Sequence, residues 1–86
     1  MFGLQLKYVN RGVVFTIGME KPGGFTLEVY NTKGGRIWRH AQQAGKQGCY
    51  QVPWSPASVN NAMRSGIYIV VLKNENRRTV KRFVEK

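Results

Sequence analysis

Apolar residues recur at every second position along this chain, in short runs that glycine, proline and asparagine keep interrupting. Val13, Phe15, Ile17 and Met19 fall on one side of an extended backbone, and Val14, Thr16 and Gly18 on the other. Phe25, Leu27 and Val29 alternate in the same way with Thr26, Glu28 and Tyr30, as do Leu4-Gln5-Leu6-Lys7-Tyr8 and Cys49-Tyr50-Gln51-Val52-Pro53-Trp54. A period of two is the signature of a strand with one buried face. Between the runs stand Asn10-Arg11-Gly12, Glu20-Lys21-Pro22-Gly23-Gly24 and Asn31-Thr32-Lys33-Gly34-Gly35, which supply the backbone angles of turns. No stretch carries a credible helix.

Three further strands complete the set. Arg36 to His40 alternates, with Ile37 on one face and Trp38 and His40 on the other, and Ala41 to Gly48 reads as a polar loop. Ile67 to Leu72 is a continuous apolar run, and Asn74-Glu75-Asn76 turns it into a basic last strand carrying Arg77, Arg78, Lys81 and Arg82. Ser55 to Arg64 is the longest segment outside a strand. The pattern predicts an all-β, antiparallel β-sandwich of about seven strands, with a small closed barrel as the alternative. The strands around Phe15 and Leu27 are expected to pair as a hairpin, and Pro53 places its strand at an edge or ends it there.

Eighty-six residues, 42% of them hydrophobic, form a single domain spanning residues 1–86 and read as a monomer. No apolar run reaches the roughly 20 residues of a membrane helix. Met1-Phe2-Gly3-Leu4-Gln5-Leu6-Lys7 lacks the layout of a signal peptide, so an exported protein would carry its signal elsewhere. Fourteen Lys and Arg stand against four Glu, giving a net charge of +10. Such a field draws nucleic acid, anionic lipid or acidic polysaccharide, or only keeps the chain soluble.

Catalytic chemistry finds little to work with. Glu20 and Glu75 fall in turns, Glu28 on a strand among cations, and Glu85 near the end; the chain has no Asp to orient its single histidine, His40. Cys49 is alone, without a second thiol or a nearby histidine for a metal, and reads as a small core hydrophobe. Neither glycine pair opens a helix, so neither is a phosphate loop. No catalytic residue, metal or cofactor is predicted.

Binding is the better class. The basic strand offers Arg77, Arg78, Lys81, Arg82 and Lys86 as a recognition edge, against the plainer reading that charge on an edge strand deters aggregation. Trp38 with Arg36 and Arg39 offers a second surface, suited to a glycan or another polyanion. Trp54 is expected to be buried and Trp38 partly exposed.

Four segments in order then become familiar. Val29 to Trp38, with Gly34 and Gly35 at its turn, resembles the "V-Y-D-x-x-G-R-x-V" strand–turn–strand of bacterial C-terminal sorting domains; the Ig-like domain of flagellar hook-capping proteins is similar. Trp54-Ser55 resembles that family's "W-D-G" strand end, Ser65 to Leu72, with Gly66 and Tyr68, its "S-G-x-Y-x-x-x-L", and Val80 to Val84 its closing "x-K-K-x-V". Order and spacing agree from about Val13 to Lys86. The resemblance implies an Ig-like sandwich closing a larger secreted protein, read by the type IX secretion machinery or a cell-surface component. The cargo is then released or held at the outer cell surface. The charge is similar to that of basic terminal domains on secreted fibre-degrading glycoside hydrolases. Adhesion to plant polysaccharide is the alternative function, and nucleic acid ranks last.

Overall fold

The structure, a computed structural model, describes residues 2–10, 12–55, 66–75 and 77–85. Seven strands follow in order: β1 (Gly3–Val9), β2 (Gly12–Met19), β3 (Gly23–Tyr30), β4 (Arg36–Ala44), β5 (Gly48–Trp54), β6 (Gly66–Asn74) and β7 (Arg77–Glu85). They form two antiparallel sheets, β1-β2-β5 and β4-β3-β6-β7. No ladder joins the sheets among the described residues, which makes the fold an Ig-like sandwich and not a barrel. The segment from Ser55 to Arg64 lies, apart from Ser55, outside the described residues.

The alternation read from the sequence is the packing. Val13, Phe15, Ile17 and Met19 of β2 face Phe25, Leu27 and Val29 of β3 and Tyr68, Val70 and Leu72 of β6, all buried. Aromatic rings lock the two layers together. Phe83 of β7 meets Trp54 of β5 edge-on at 5.6 Å between centroids and Phe15 of β2 at 5.7 Å. Trp54 also meets Tyr68 of β6 at 5.2 Å. Tilted and edge-on rings are the favoured aromatic geometry, so these contacts fix the sheets in register as well as hiding area.

Three sequence expectations are corrected. The strands around Phe15 and Leu27 do not pair as a hairpin: β2 pairs with β1 and β5, and β3 with β4 and β6. Their apolar faces oppose each other across the core, and Glu20-Lys21-Pro22 carries the chain from one sheet to the other, where Pro22 has no N–H to extend a ladder. Ala41 to Ala44 belongs to β4 instead of a loop, because Gly23, Gly24, Phe25 and Thr26 of β3 provide a ladder for it and Ala44 is buried. Cys49 is exposed, since Tyr50, Val52 and Trp54 take the inward positions of β5 and leave Cys49 facing out opposite Gly18.

β5 does lie at a sheet edge, as Pro53 requires. The turn before β4 explains its sequence: Asn31 Oδ1 accepts the N–H of Lys33 at 3.0 Å and of Gly35 at 2.9 Å, while Gly34 adopts φ 88°. An Asx-type turn of this kind needs the side-chain oxygen at Asn31 and a glycine at Gly34.

Truncating Phe83 to Ala should cost about 3–5 kcal/mol, a large share of the stability of so small a domain, read as a fall in urea midpoint. Gly12→Ala should also destabilise the fold, because its Cβ would stand 2.6 Å from the carbonyl oxygen of Trp54. Gly66→Ala, with nothing within 4 Å of the added carbon, should be close to neutral.

Candidate functional site

The terminal hairpin presents two rows of side chains. Phe83, opposite Tyr68, and Thr79, opposite Leu72, point towards the core, and Arg77 and Lys81 share that row. Arg78, Val80, Arg82 and Val84 form the outer row, opposite Lys73, Val71, Ile69 and Ile67. Val80 and Val84 are 50% and 45% exposed, and Ile67 of β6 is 44% exposed. The outer face of this corner therefore alternates cation with aliphatic side chain. A shallow groove of about 360 Å³ runs beside it, lined by Tyr30, Ile69, Val71, Lys73, Arg78 and Val80 among others.

Glu28 sets the electrostatics of the same face. It projects from β3 on the outer side, yet its side chain is only 5% exposed, covered by the groups that bind it. Lys73 Nζ of β6 lies 2.9 Å from Oε1, Arg36 Nη1 of β4 lies 2.9 Å from Oε2, and the Tyr30 hydroxyl donates to Oε1 at 3.0 Å. The Lys73 ammonium first, then the Arg36 and Tyr30 donors, hold this carboxyl at about 2, well below the usual 4.5, against the opposing effect of burial. One carboxylate thus joins three neighbouring strands and offsets half the charge of the two cations it binds at the middle of the sheet. Arg78 and Arg82, further out, have no acidic partner among the described residues.

The sequence-predicted recognition edge divides. Arg78 and Arg82 share the exposed outer row. Arg77 turns the other way, donating to Glu20 Oε1 and lying 4.6 Å from the centroid of the Phe2 ring, so it ties the hairpin to the opposite sheet. The same contact, with the Phe2 N–H, holds the Glu20 carboxyl below its ordinary range. Lys81 is exposed beside Phe2 and Leu4 of the first strand's end, and Lys86 lies outside the described residues.

The proposed second surface is not assembled. Trp38 points inward, packing on Phe15 and Trp54 and stacking on His40 at 5.8 Å, while Arg39 points outward and Arg36 is held by Glu28. Trp38 is half-buried, as expected, and Trp54 is buried. His40 Nε2 lies 3.0 Å from Gln42 Oε1. No three of His, Cys, Asp and Glu gather into a metal-binding group among the described residues.

Two features escaped the sequence. The exposed valines of β7 look like core residues by type, and only the register reveals that they face out. Tyr8 of β1 sends its hydroxyl to accept the backbone N–H of Val84 at 3.3 Å, a contact between residues at opposite ends of the chain. Compared with family models, with curated proteins and with solved structures, the chain matches none.

The Glu28 cluster gives a pH prediction. A carboxyl whose folded value is depressed stabilises the fold above its unfolded value and loses that contribution as pH falls through the folded one. The urea midpoint should therefore drop between about pH 5 and pH 2, and Glu28→Gln should flatten the drop while lowering the midpoint at neutral pH. An unchanged profile in the variant would show that Glu28 does not govern it.

Proposed function

We propose that this chain is a non-catalytic sorting or anchoring module, read through its terminal hairpin, that directs a larger secreted protein across the outer membrane or onto the cell surface. The observation that carries the reading is the placement of β7. The last strand lies at a sheet edge, held from below by Phe83, with Arg78, Val80, Arg82 and Val84 presented to solvent. An element meant to be read by a receptor needs both a fixed backbone and accessible side chains.

The segments that carry the sorting-domain resemblance support it from another side. They fall on the β3–β4 turn with Asn31, Gly34 and Gly35, on the end of β5 at Trp54, on β6 and on β7. Within them, Asn31 holds the turn, and Trp54, Tyr68 and Phe83 meet in the core. Adhesion to polysaccharide is the weaker reading, because Trp38 and Arg39 face opposite sides of β4. A flat sugar-stacking surface needs the indole and the cations together.

The test is export of a reporter. Residues 1–86 fused behind a neutral reporter that itself begins with a signal peptide, in a host with type IX machinery, should place it outside the cell. The double variant Arg78→Glu with Arg82→Glu should retain it. A wild-type fusion that stays inside, while a verified signal from the same host works, overturns the reading.

A further inference from the structure

Which backbone groups of β7 point away from the sheet follows from the hairpin loop. Glu75 and Asn76 alone separate β6 from β7, and in a two-residue hairpin the flanking residues, Asn74 and Arg77, form a hydrogen-bonded pair. Counting on, Thr79, Lys81 and Phe83 turn their N–H and C=O to β6, while Arg78, Val80, Arg82 and Val84 turn theirs outward. The contact from Val84 N–H to the Tyr8 hydroxyl, at 3.3 Å, fixes the same phase independently. Val84 is thus capped, and Arg78, Val80 and Arg82 hold out a row of donors and acceptors with no partner among the described residues.

The sheet edges are not equivalent. β5 carries Pro53 in its ladder, β4 meets β3 through a register shift at Val29/Tyr30, and β1, at seven residues, is shorter than β7. β7 runs nine residues in unbroken register, with no proline. Proline and bulges close an edge to any strand, whereas charged side chains close it to strands of like charge. β7 has only the charges, and two half-exposed valines lie along it.

Resting on the reading of the hairpin as the recognised element, we infer that β7 is a strand-addition site. Its occupant is an extended partner segment that alternates carboxylates with β-branched residues. Side chains directly opposite each other across a ladder interact most strongly, so the row Arg78, Val80, Arg82 calls for acid, aliphatic, acid on the same face of the added strand. Lys81 on the inner row favours a further carboxylate. A second copy of this chain is a poor occupant: each copy carries a net charge of +10, and β7 against β7 in antiparallel register sets Arg78 opposite Arg82 twice over when centred on Val80 and Lys81 opposite Lys81 when centred on Lys81. The edge thus disfavours itself and favours an acidic strand.

Val80→Pro isolates the backbone contribution, because the N–H it deletes lies outside the β6–β7 ladder, where proline is tolerated. The probe is a synthetic peptide of β7's length in which Glu and Val take turns at every second position with Thr between them (Glu-Thr-Val-Thr-Glu), so that acid and aliphatic side chains share one face, with polyglutamate of the same length as the comparison. The alternating peptide should bind the full chain at least about tenfold more tightly than polyglutamate and slow amide exchange at Val80 and Arg82. Val80→Pro should weaken it by about tenfold with the thermal midpoint nearly unchanged. Equal binding of the two peptides, or full binding by a folded Val80→Pro chain, overturns the inference. Should Val80→Pro fail to fold, Arg78→Glu with Arg82→Glu decides: loss of the preference for the alternating peptide supports strand addition, and an unchanged preference overturns it. Peptide binding and reporter export are read separately. Export without strand addition removes this inference and leaves the sorting reading in place; strand addition without export does the reverse.

Discussion

Phe83 is the contact on which the rest of the hairpin depends. Among the described side chains of β7 it is the one that is fully buried, the others being cations, exposed valines and a threonine. Its ring touches Phe15 and Trp54 from the other sheet and Tyr68 from its own, so a single residue joins β7 to both layers. Burying a phenylalanine contributes roughly 1.5–3 kcal/mol, whereas repulsion between exposed charges is a matter of tenths to about 1 kcal/mol. That inequality lets a basic strand remain part of the sheet. The ladder to β6 then sets where each of its arginines stands.

Charge is distributed to the same end. At the centre of the four-stranded sheet Glu28 engages Lys73 and Arg36, and at the end of the hairpin Glu20 engages Arg77. Two of the chain's four carboxylates are thus committed to cations that brace neighbouring strands. Arg78 and Arg82 lie beyond their reach. The charge of Arg78 and Arg82 accordingly lies where the backbone is also unpaired, so steering and recognition coincide at one edge.

Much of this was legible in the sequence, for identifiable reasons. A period of two states which side chains share a face, and Val13, Phe15, Ile17, Phe25, Leu27 and Val29 were placed in the core on that ground alone. It does not state which strand lies beside which, and β2 and β3, consecutive and both well patterned, belong to different sheets. Ala41 to Ala44 is polar and glycine-flanked, and only the ladder offered by Gly23 to Thr26 makes it a strand. Cys49 followed residue type where alternation from Tyr50 would have placed it outside. Residue type suggests one surface from Trp38, Arg36 and Arg39, but adjacency in a strand sets Trp38 and Arg39 on opposite faces. The Asn74–Arg77 pairing, and with it the free row of β7, needs the loop length that the structure provides.

The central claim is that β7 is fixed on one side and open on the other. Amide hydrogen exchange along β7 in the free protein tests this most directly. The N–H groups of Thr79, Lys81 and Phe83 should exchange slowly and those of Arg78, Val80 and Arg82 quickly, in strict alternation. Uniform protection along the strand, or alternation in the opposite phase, would contradict it.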